Sequence, residues 1–233
     1  MRCGEAVLLS PAAFHYLTHV LRLPEGASLR LFNGRDGEWQ ARLESQGKKA
    51  ARAVPCEQIR FQPPAPQGLS LFFSPIKKNR MDWLIEKAVE LGVTDFYPVL
   101  TQNTENRVLN VERINRQIVE AAEQCERLDV PRFHSLRALT ESIQDQEKRG
   151  DVVHACIERY EESLPLGRAL EENAGRATAF LIGPEGGFSR EEKDFLTTCV
   201  FIRPVSLGPR ILRAETAALY TLTAANLSDD RGK

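Results

Sequence analysis

Cysteine, histidine and aromatic side chains are sparse in this 233-residue chain, and long apolar runs are missing. The five cysteines (Cys3, Cys56, Cys125, Cys156 and Cys199) lie at least 31 residues apart and form no CxxC pair. An odd count at such spacing excludes a disulfide scaffold and a paired-cysteine zinc site, and it predicts a reduced, cytoplasmic compartment. No stretch of ~18 apolar residues is available to cross a bilayer. Glu5 interrupts the apolar start that a secretory signal would need. Charge of one sign is lacking too: 31 Lys+Arg against 32 Asp+Glu leave the chain at −1. That balance excludes a polycation holding nucleic acid by bulk charge alone.

Several chemical signatures are also absent. No GxGxxG follows a strand pattern, so neither the dinucleotide fingerprint nor the usual glycine loop of Rossmann-type methyltransferases is present. No GxxxxGK[ST] exists for a P-loop, and no GxSxG for a nucleophile elbow. His15 and His19 share a helical face but lack the adjacent Glu of HExxH and a third ligand, so no metal is expected. His154 lies within an apolar strand pattern and reads as a core histidine; His134 has no partner legible in sequence.

What is present falls into two parts. Residues 1–68 carry a net charge of +3 and the remainder −4. The Pro-rich run Gln62-Pro63-Pro64-Ala65-Pro66-Gln67-Gly68 continues neither a helix nor an inner strand, which sets expected domains at 1–67 and 68–233. In the first, Ser10-Pro11 caps a short helix with Phe14, Leu17, Val20 and Leu21 on its apolar face. Alternation through Leu29, Leu31, Trp39, Ala41 and Leu43 around Asn33-Gly34, with further stretches at 51–54 and 59–61, predicts a small barrel of about five strands.

From Leu69 the pattern alternates between strands and helices, predicting an α/β domain with a mostly parallel sheet. Strands are expected at 69–76, 94–100, 151–157, 177–182 and 200–205. Helices are expected at 80–91, with Gly92 beyond its end, at 111–128 with Cys125 on the buried stripe, and in a segment ending at Gly150. Another opens at Ser189, where Glu192 completes a capping box. The last helix runs uncharged from Thr216 to Ser228, as a helix buried or paired with a second subunit does.

Two glycine-bearing loops follow predicted strands: Gly183-Pro184-Glu185-Gly186-Gly187-Phe188-Ser189 and Ser206-Leu207-Gly208-Pro209-Arg210-Ile211-Leu212-Arg213-Ala214-Glu215-Thr216. Each also reads as an ordinary tight connection. Two of them at the carboxyl ends of strands form the usual place for a small molecule in an open α/β sheet. Lys77-Lys78-Asn79-Arg80 is either a solvated face or a phosphate contact. Three classes of function stay open: an enzyme acting on RNA, a non-catalytic RNA-binding dimer, and a small-molecule enzyme whose 183–187 loop cradles a phosphate.

GPEGGFS at 183–189 together with SLGPRILRAETA at 206–217 resembles the ribosomal RNA small subunit methyltransferase E (RsmE) family of SPOUT enzymes. DWLIEKAVELGV at 82–93, EAAEQCER at 120–127, HYLTHVLRL at 15–23 and LFNG at 31–34 are similar to the same family. The likeness therefore spans nearly the whole chain. It departs at the extreme N-terminus, where only Arg2 stands before Cys3-Gly4-Glu5. The resemblance implies a SPOUT-type trefoil-knot α/β domain after an N-terminal PUA-like β-barrel that docks RNA. It also implies a homodimer that uses S-adenosylmethionine to methylate N3 of one uridine of 16S rRNA in the assembled 30S subunit.

The cofactor would rest on Leu181, Ile182, Gly183, Glu185, Gly187, Leu207, Gly208, Ile211, Leu212 and Thr216. Loss of the N3 proton leaves negative charge on the uracil carbonyls, and Arg213, with Arg210 behind it, is the candidate cation. Glu185 or Glu215 takes the proton or anchors a loop. Arg2, Arg22, Arg35, Lys77, Lys78 and Arg80 are the expected RNA contacts.

Overall fold

A computed structural model describes residues 1–47, 50–64, 68–148, 151–174 and 176–230. The chain separates into one unit made of Met1–Ala65 with Glu126–Val130, and another made of Pro66–Cys125 with Pro131–Lys233.

The first unit is built on β1 (Val7–Leu8), α1 (Pro11–His15), β2 (Ser28–Leu31), β3 (Glu38–Ser45) and β4 (Ala51–Arg60). Its strands form one antiparallel sheet in the order β1-β4-β3-β2. The Ala13 amide donates to the Ser10 hydroxyl at 3.1 Å to cap α1, and Pro11 fills the first turn. The helix continues as a π turn over Tyr16–Val20.

Two expectations need correcting here. The sheet has four strands rather than about five, because the stretches at 51–54 and 59–61 are the two ends of the single strand β4. Bulges in β4, where Cys56 is the extra residue between the Gln40–Glu57 and Ala41–Pro55 pairs and Ile59 the extra one between Glu38–Arg60 and Trp39–Gln58, accommodate Pro55, which has no amide to give the ladder. The apolar face of the first helix is only partly covered: Phe14 and Leu17 are half-buried, Val20 and Leu21 are exposed, and the buried apolar residues of the unit include Ala41, Leu43, Ala51, Ala53 and Leu128. Glu38 is buried beneath Arg30, 3.1 Å away, and Arg60. Desolvation works to raise its pKa, but the two guanidiniums outweigh it and hold the carboxyl below the usual range.

The second unit follows the chain order β5 (Leu69–Phe73), α2 (Lys78–Glu90), β6 (Asp95–Leu100), α3 (Val111–Gln124), β7 (Arg132–Phe133), β8 (Arg137–Ala138) and α4 (Leu139–Glu147). It continues with β9 (Val152–Cys156), β10 (Leu164–Pro165), α5 (Leu166–Glu172), β11 (Thr178–Ile182), α6 (Arg190–Thr198), β12 (Ile202–Ser206) and α7 (Ala214–Asp230). The parallel sheet has the order β10-β12-β9-β11-β5-β6-β7, with β8 also pairing with β6.

Strand alternation sorts side chains onto two cores. Leu71, Phe73, Phe180 and Ile182 face one that includes residues of α2, α3, α5 and α7. Phe72, Ala179 and Leu181 face the other, with Ile143 of α4 and Leu196 of α6. Neither face is solvated, which is why these strands read as continuous apolar runs.

Local differences from the sequence reading have local causes. The third helix stops at Gln124 rather than 128: Glu126 takes a left-handed φ of 56°, which a helix cannot continue through. Cys125 caps it and is exposed, not on the buried stripe. Helix α5 and the two-residue strands had no sequence signal strong enough to name them. Gly150 and residues 65–67 of the Pro-rich run lie outside the described residues. Helix α7 buries Ala214, Ala217, Ala218, Thr221, Leu222 and Ala225 and leaves Tyr220 and Leu227 half exposed.

Candidate functional site

Parallel strands deliver their exit loops to one edge of the sheet. β11 lies at the point where the order reverses: β5 and β6 stand on one side of it, β9 and β12 on the other. Crevices open at such points, outside the carboxyl ends of the strands. Here the loop after β11 forms a wall with space on both sides.

That loop turns tightly. The Gly187 amide donates to the Pro184 carbonyl at 2.9 Å, and Gly187 takes a φ of 68°. A Cβ on Gly183 would meet the Phe188 ring at 3.0 Å, so the glycine lets Phe188 fold back beneath its own loop. The capping box then starts α6: Glu192 N–H donates to the Ser189 hydroxyl at 3.2 Å, and Ser189 N–H donates to Glu192 Oε2 at 2.8 Å. In the loop after β12, Gly208 takes a φ of 101°, a value that side chains avoid.

Between these two bends lies a cleft of about 480 Å³. Ile182, Gly183, Glu185, Gly187, Leu207, Gly208, Ile211 and Leu212 line it, as do Arg210 and Arg213. Leu181 does not: alternation along β11 turns it into the opposite core, fully buried. Thr216 is exposed on α7, outside the lining. The carboxyl end of β9 adds Cys156, Glu158 and Arg159, and α6 adds Lys193. Burial pushes the Cys156 thiol up to about 12, so it remains protonated and is no nucleophile at neutral pH.

Arg80, an expected RNA contact, lies in the first turn of α2. It forms ion pairs with Glu185 of the first bend and, at 3.7 Å, with Glu215 at the start of α7, while its side chain stays partly exposed. Glu215 is 8 % exposed and does not line the cleft; its Oε2 has no hydrogen-bond partner among the described residues. The two carboxylates expected to take a proton or anchor a loop are both held by one cation.

The loop after β6 braces the first bend, a contact absent from the sequence reading. Asn103 donates from its amide to the carbonyls of Gly186 at 3.1 Å and Gly187 at 3.0 Å. A Cβ on Gly186 would lie 3.1 Å from that of Asn103. The Gln102 amide donates to Glu192 Oε1 at 2.7 Å, and the Thr101 amide donates to the Thr104 hydroxyl at 2.8 Å. The available signal was the polar run Thr101-Gln102-Asn103-Thr104-Glu105-Asn106-Arg107 directly after a buried parallel strand, where binding loops belong.

Lys77 and Lys78 line a second pocket on the other side of the 184–186 wall. In the first unit Arg2 and Arg22 are exposed, Arg22 with a φ of 54°, and Arg35 pairs with Asp36 at 3.3 Å. The rings of His15 and His19 stack at 5.1 Å. Among the described residues no group of three or more His, Cys, Asp or Glu could hold a metal ion, and no helix is long and apolar enough to cross a membrane. His154 is fully buried, bonded through Nε2 to the Ala169 carbonyl at 3.4 Å, and desolvation lowers its pKa. His134 does have a partner, Asp95 at 2.8 Å, and stacks on Tyr97.

Comparison with known proteins places this geometry. Residues 63–226 match an RNA methyltransferase domain family, and residues 9–56 an RNA methyltransferase PUA domain. A relative from Rickettsia conorii, ribosomal RNA small subunit methyltransferase E, is 34% identical over 221 residues, covering 94% of this chain and 88% of its own length. The protein of that name from Bacillus subtilis is 31% identical over 231 residues, with coverage of 90% and 85%. Among solved structures, ribosomal RNA small subunit methyltransferase E from Neisseria gonorrhoeae bound to S-adenosyl methionine superimposes with a TM-score of 0.83 at 28% identity, covering 97% of this chain and 93% of that one.

Proposed function

The chain belongs to the ribosomal RNA small subunit methyltransferase E family, and on that premise we propose that it transfers a methyl group from S-adenosylmethionine to N3 of one uridine of 16S rRNA. The observation that carries the reading is the cleft held between two glycine bends at the ends of β11 and β12.

The residues of the cleft fit the cofactor. At both Gly187 and Gly208 a Cβ would meet nothing within 4 Å, so the backbone borders open space that a ligand can approach closely. Main-chain amides of the bends suit an adenine edge and ribose hydroxyls, and Ile182, Leu207 and Leu212 supply apolar walls. When bound, the cofactor supplies an electrophilic methyl sulfonium. The protein's tasks are then to align the acceptor, exclude water and accommodate charge.

Arg213 and Arg210 line the cleft and are exposed there. A guanidinium facing the uracil stabilises the anion that remains once N3 gives up its proton. Glu185 and Glu215 serve as anchors through Arg80. Arg213→Ala is expected to abolish turnover while cofactor affinity stays within a few-fold; joint loss of both assigns Arg213 to cofactor binding instead.

The half-exposed Tyr220 and Leu227 on the uncharged outer side of α7 support pairing with a second copy. The acceptor in this reading is the assembled 30S subunit in the cytoplasm, docked partly through residues 1–67, since a net charge of −1 gives little general attraction for RNA. Tritiated methyl transfer to 30S subunits lacking base modifications, followed by nucleoside analysis, tests the proposal. Label in N3-methyluridine supports it, and label in another nucleoside or in none overturns it.

A further inference from the structure

The second pocket has a volume of about 630 Å³ and shares Pro184, Glu185 and Gly186 with the cofactor cleft. Its remaining walls come from the exits of β5 and β6, so the two spaces lie on opposite sides of the loop after the central strand. We propose that this pocket holds a nucleotide of the RNA acceptor strand, with Lys77 and Lys78 on its phosphates and Asn103, Glu105 and Asn106 on its sugar and base. The proposal rests on the transferase reading and assigns the acceptor side of that site.

The chemistry of the lining selects the ligand. Lys77 and Lys78 are exposed at the pocket and enter no ion pair among the described residues, whereas nearby Arg80 is occupied by Glu185 and Glu215. Two unpaired cations side by side suit consecutive phosphodiesters. Opposite them the lining is rich in acceptors. Asn103 uses its NH₂ on the Gly186 and Gly187 carbonyls, and Asn106 directs its NH₂ to the Ile76 carbonyl at 3.4 Å. With the NH₂ groups so engaged, what Asn103 and Asn106 have left to offer a ligand is their amide oxygens, and both residues line the pocket together with Glu105.

Acceptors meet donors, and a ribonucleotide supplies them in its 2′-hydroxyl and base N–H groups. A free phosphate has no use for a carboxylate and two carbonyl oxygens, and Glu105 would repel it. DNA lacks the 2′-hydroxyl. The volume is ample for one nucleotide, and the shared wall keeps it next to the cleft where the methyl donor is read to bind.

The test uses the full chain and a synthetic single-stranded fragment of small-subunit rRNA, followed by fluorescence anisotropy across a salt series that starts at low salt; an unmodified chain that takes up no fragment there overturns the pocket. S-adenosylmethionine affinity is measured separately by calorimetry. The K77A/K78A double variant is expected to weaken RNA binding roughly tenfold and to lower the salt slope by about 1.4, as loss of two single-strand phosphate contacts does. Its cofactor Kd should stay within about twofold, because neither lysine lines the cleft. In Glu105→Ala the preference for RNA over the same sequence as DNA should shrink.

Unchanged RNA affinity and salt slope in the double variant, with cofactor still bound, overturn the pocket and leave the transferase reading standing. Loss of RNA binding in the variant while the unmodified chain takes no S-adenosylmethionine supports the pocket and overturns that reading. A chain that binds RNA equally well as DNA, before and after Glu105→Ala, overturns the assignment of the acceptor wall.

Discussion

Arg80, on the second helix, holds Glu185 across 105 positions of sequence, and the same guanidinium reaches Glu215 at the head of the last helix. One cation thus ties both glycine-bearing bends to a rigid element. The arrangement accounts for two acidic residues beside a crevice that has to accept an electron-rich acceptor: they are neutralised in place.

Removing that cation strands the carboxylates. Arg80→Ala should destabilise the protein by about 1–3 kcal/mol, because Glu215 is 8 % exposed and cannot recover its hydration. Thermal melting with and without S-adenosylmethionine checks it. The ligand-induced rise in Tm should shrink as well, and a variant that keeps both its Tm and that rise refutes the tie.

Asn103 is expected to act as a positioning residue for the first bend. Asn103→Ala removes its two hydrogen bonds, and Asn103→Asp replaces their donor with a group that the Gly186 and Gly187 carbonyls repel. Both variants should raise the KM for S-adenosylmethionine, by roughly tenfold for two such bonds, with a smaller effect on kcat. Equal loss in kcat and none in KM would place Asn103 in the chemical step instead.

Glycine replacements should divide by backbone conformation. At Gly208, with φ at 101°, alanine costs about 1–2 kcal/mol and displaces the bend, weakening cofactor binding seen by calorimetry. At Gly167, in helix α5 with nothing within 4 Å of a new Cβ, alanine should be neutral or stabilise by about 0.5–1 kcal/mol. Urea unfolding of both variants provides the comparison.

Asp95 sets an acid limit on stability. Burial opposes its charge, but hydrogen bonds from His134 and Thr94 and the nearby Arg132 outweigh that and hold the carboxyl below its ordinary 3.8. A lowered folded pKa means the contribution is present above 3.8 and is lost as pH falls through the folded value. Urea unfolding from about pH 5 down to about pH 2 should show a shallower acid decline for Asp95→Asn than for the parent chain. Parallel curves would remove Asp95 from the balance.

Much of this molecule was legible in one dimension. Leu69–Phe73 and Thr178–Ile182 announced themselves as doubly covered strands, and Ser189 with Glu192 marked a helix start to the residue. Hidden from that reading were the long strand through Pro55, where bulges offset a residue that normally breaks pairing, and the stop of α3 at Gln124, set by the left-handed Glu126. The loop from Thr101 to Arg107 looked like any polar connection, because its importance comes from the carbonyls it meets 83 and 84 positions away.

Periodicity, caps and turn residues are local, so the amino-acid order alone determined which segments became strands, which became helices, and where glycine permits a ligand close to the backbone. Strand order is not local. Insertion of β11 between β5 and β9 decided that the 184–186 loop separates two spaces, that Leu181 turns away while Ile182 turns in, and that Arg80 meets two acids. Those relations arise from which strands pair and which faces helices cover, energies shared among residues far apart in sequence, and they exist only once the sheet is assembled.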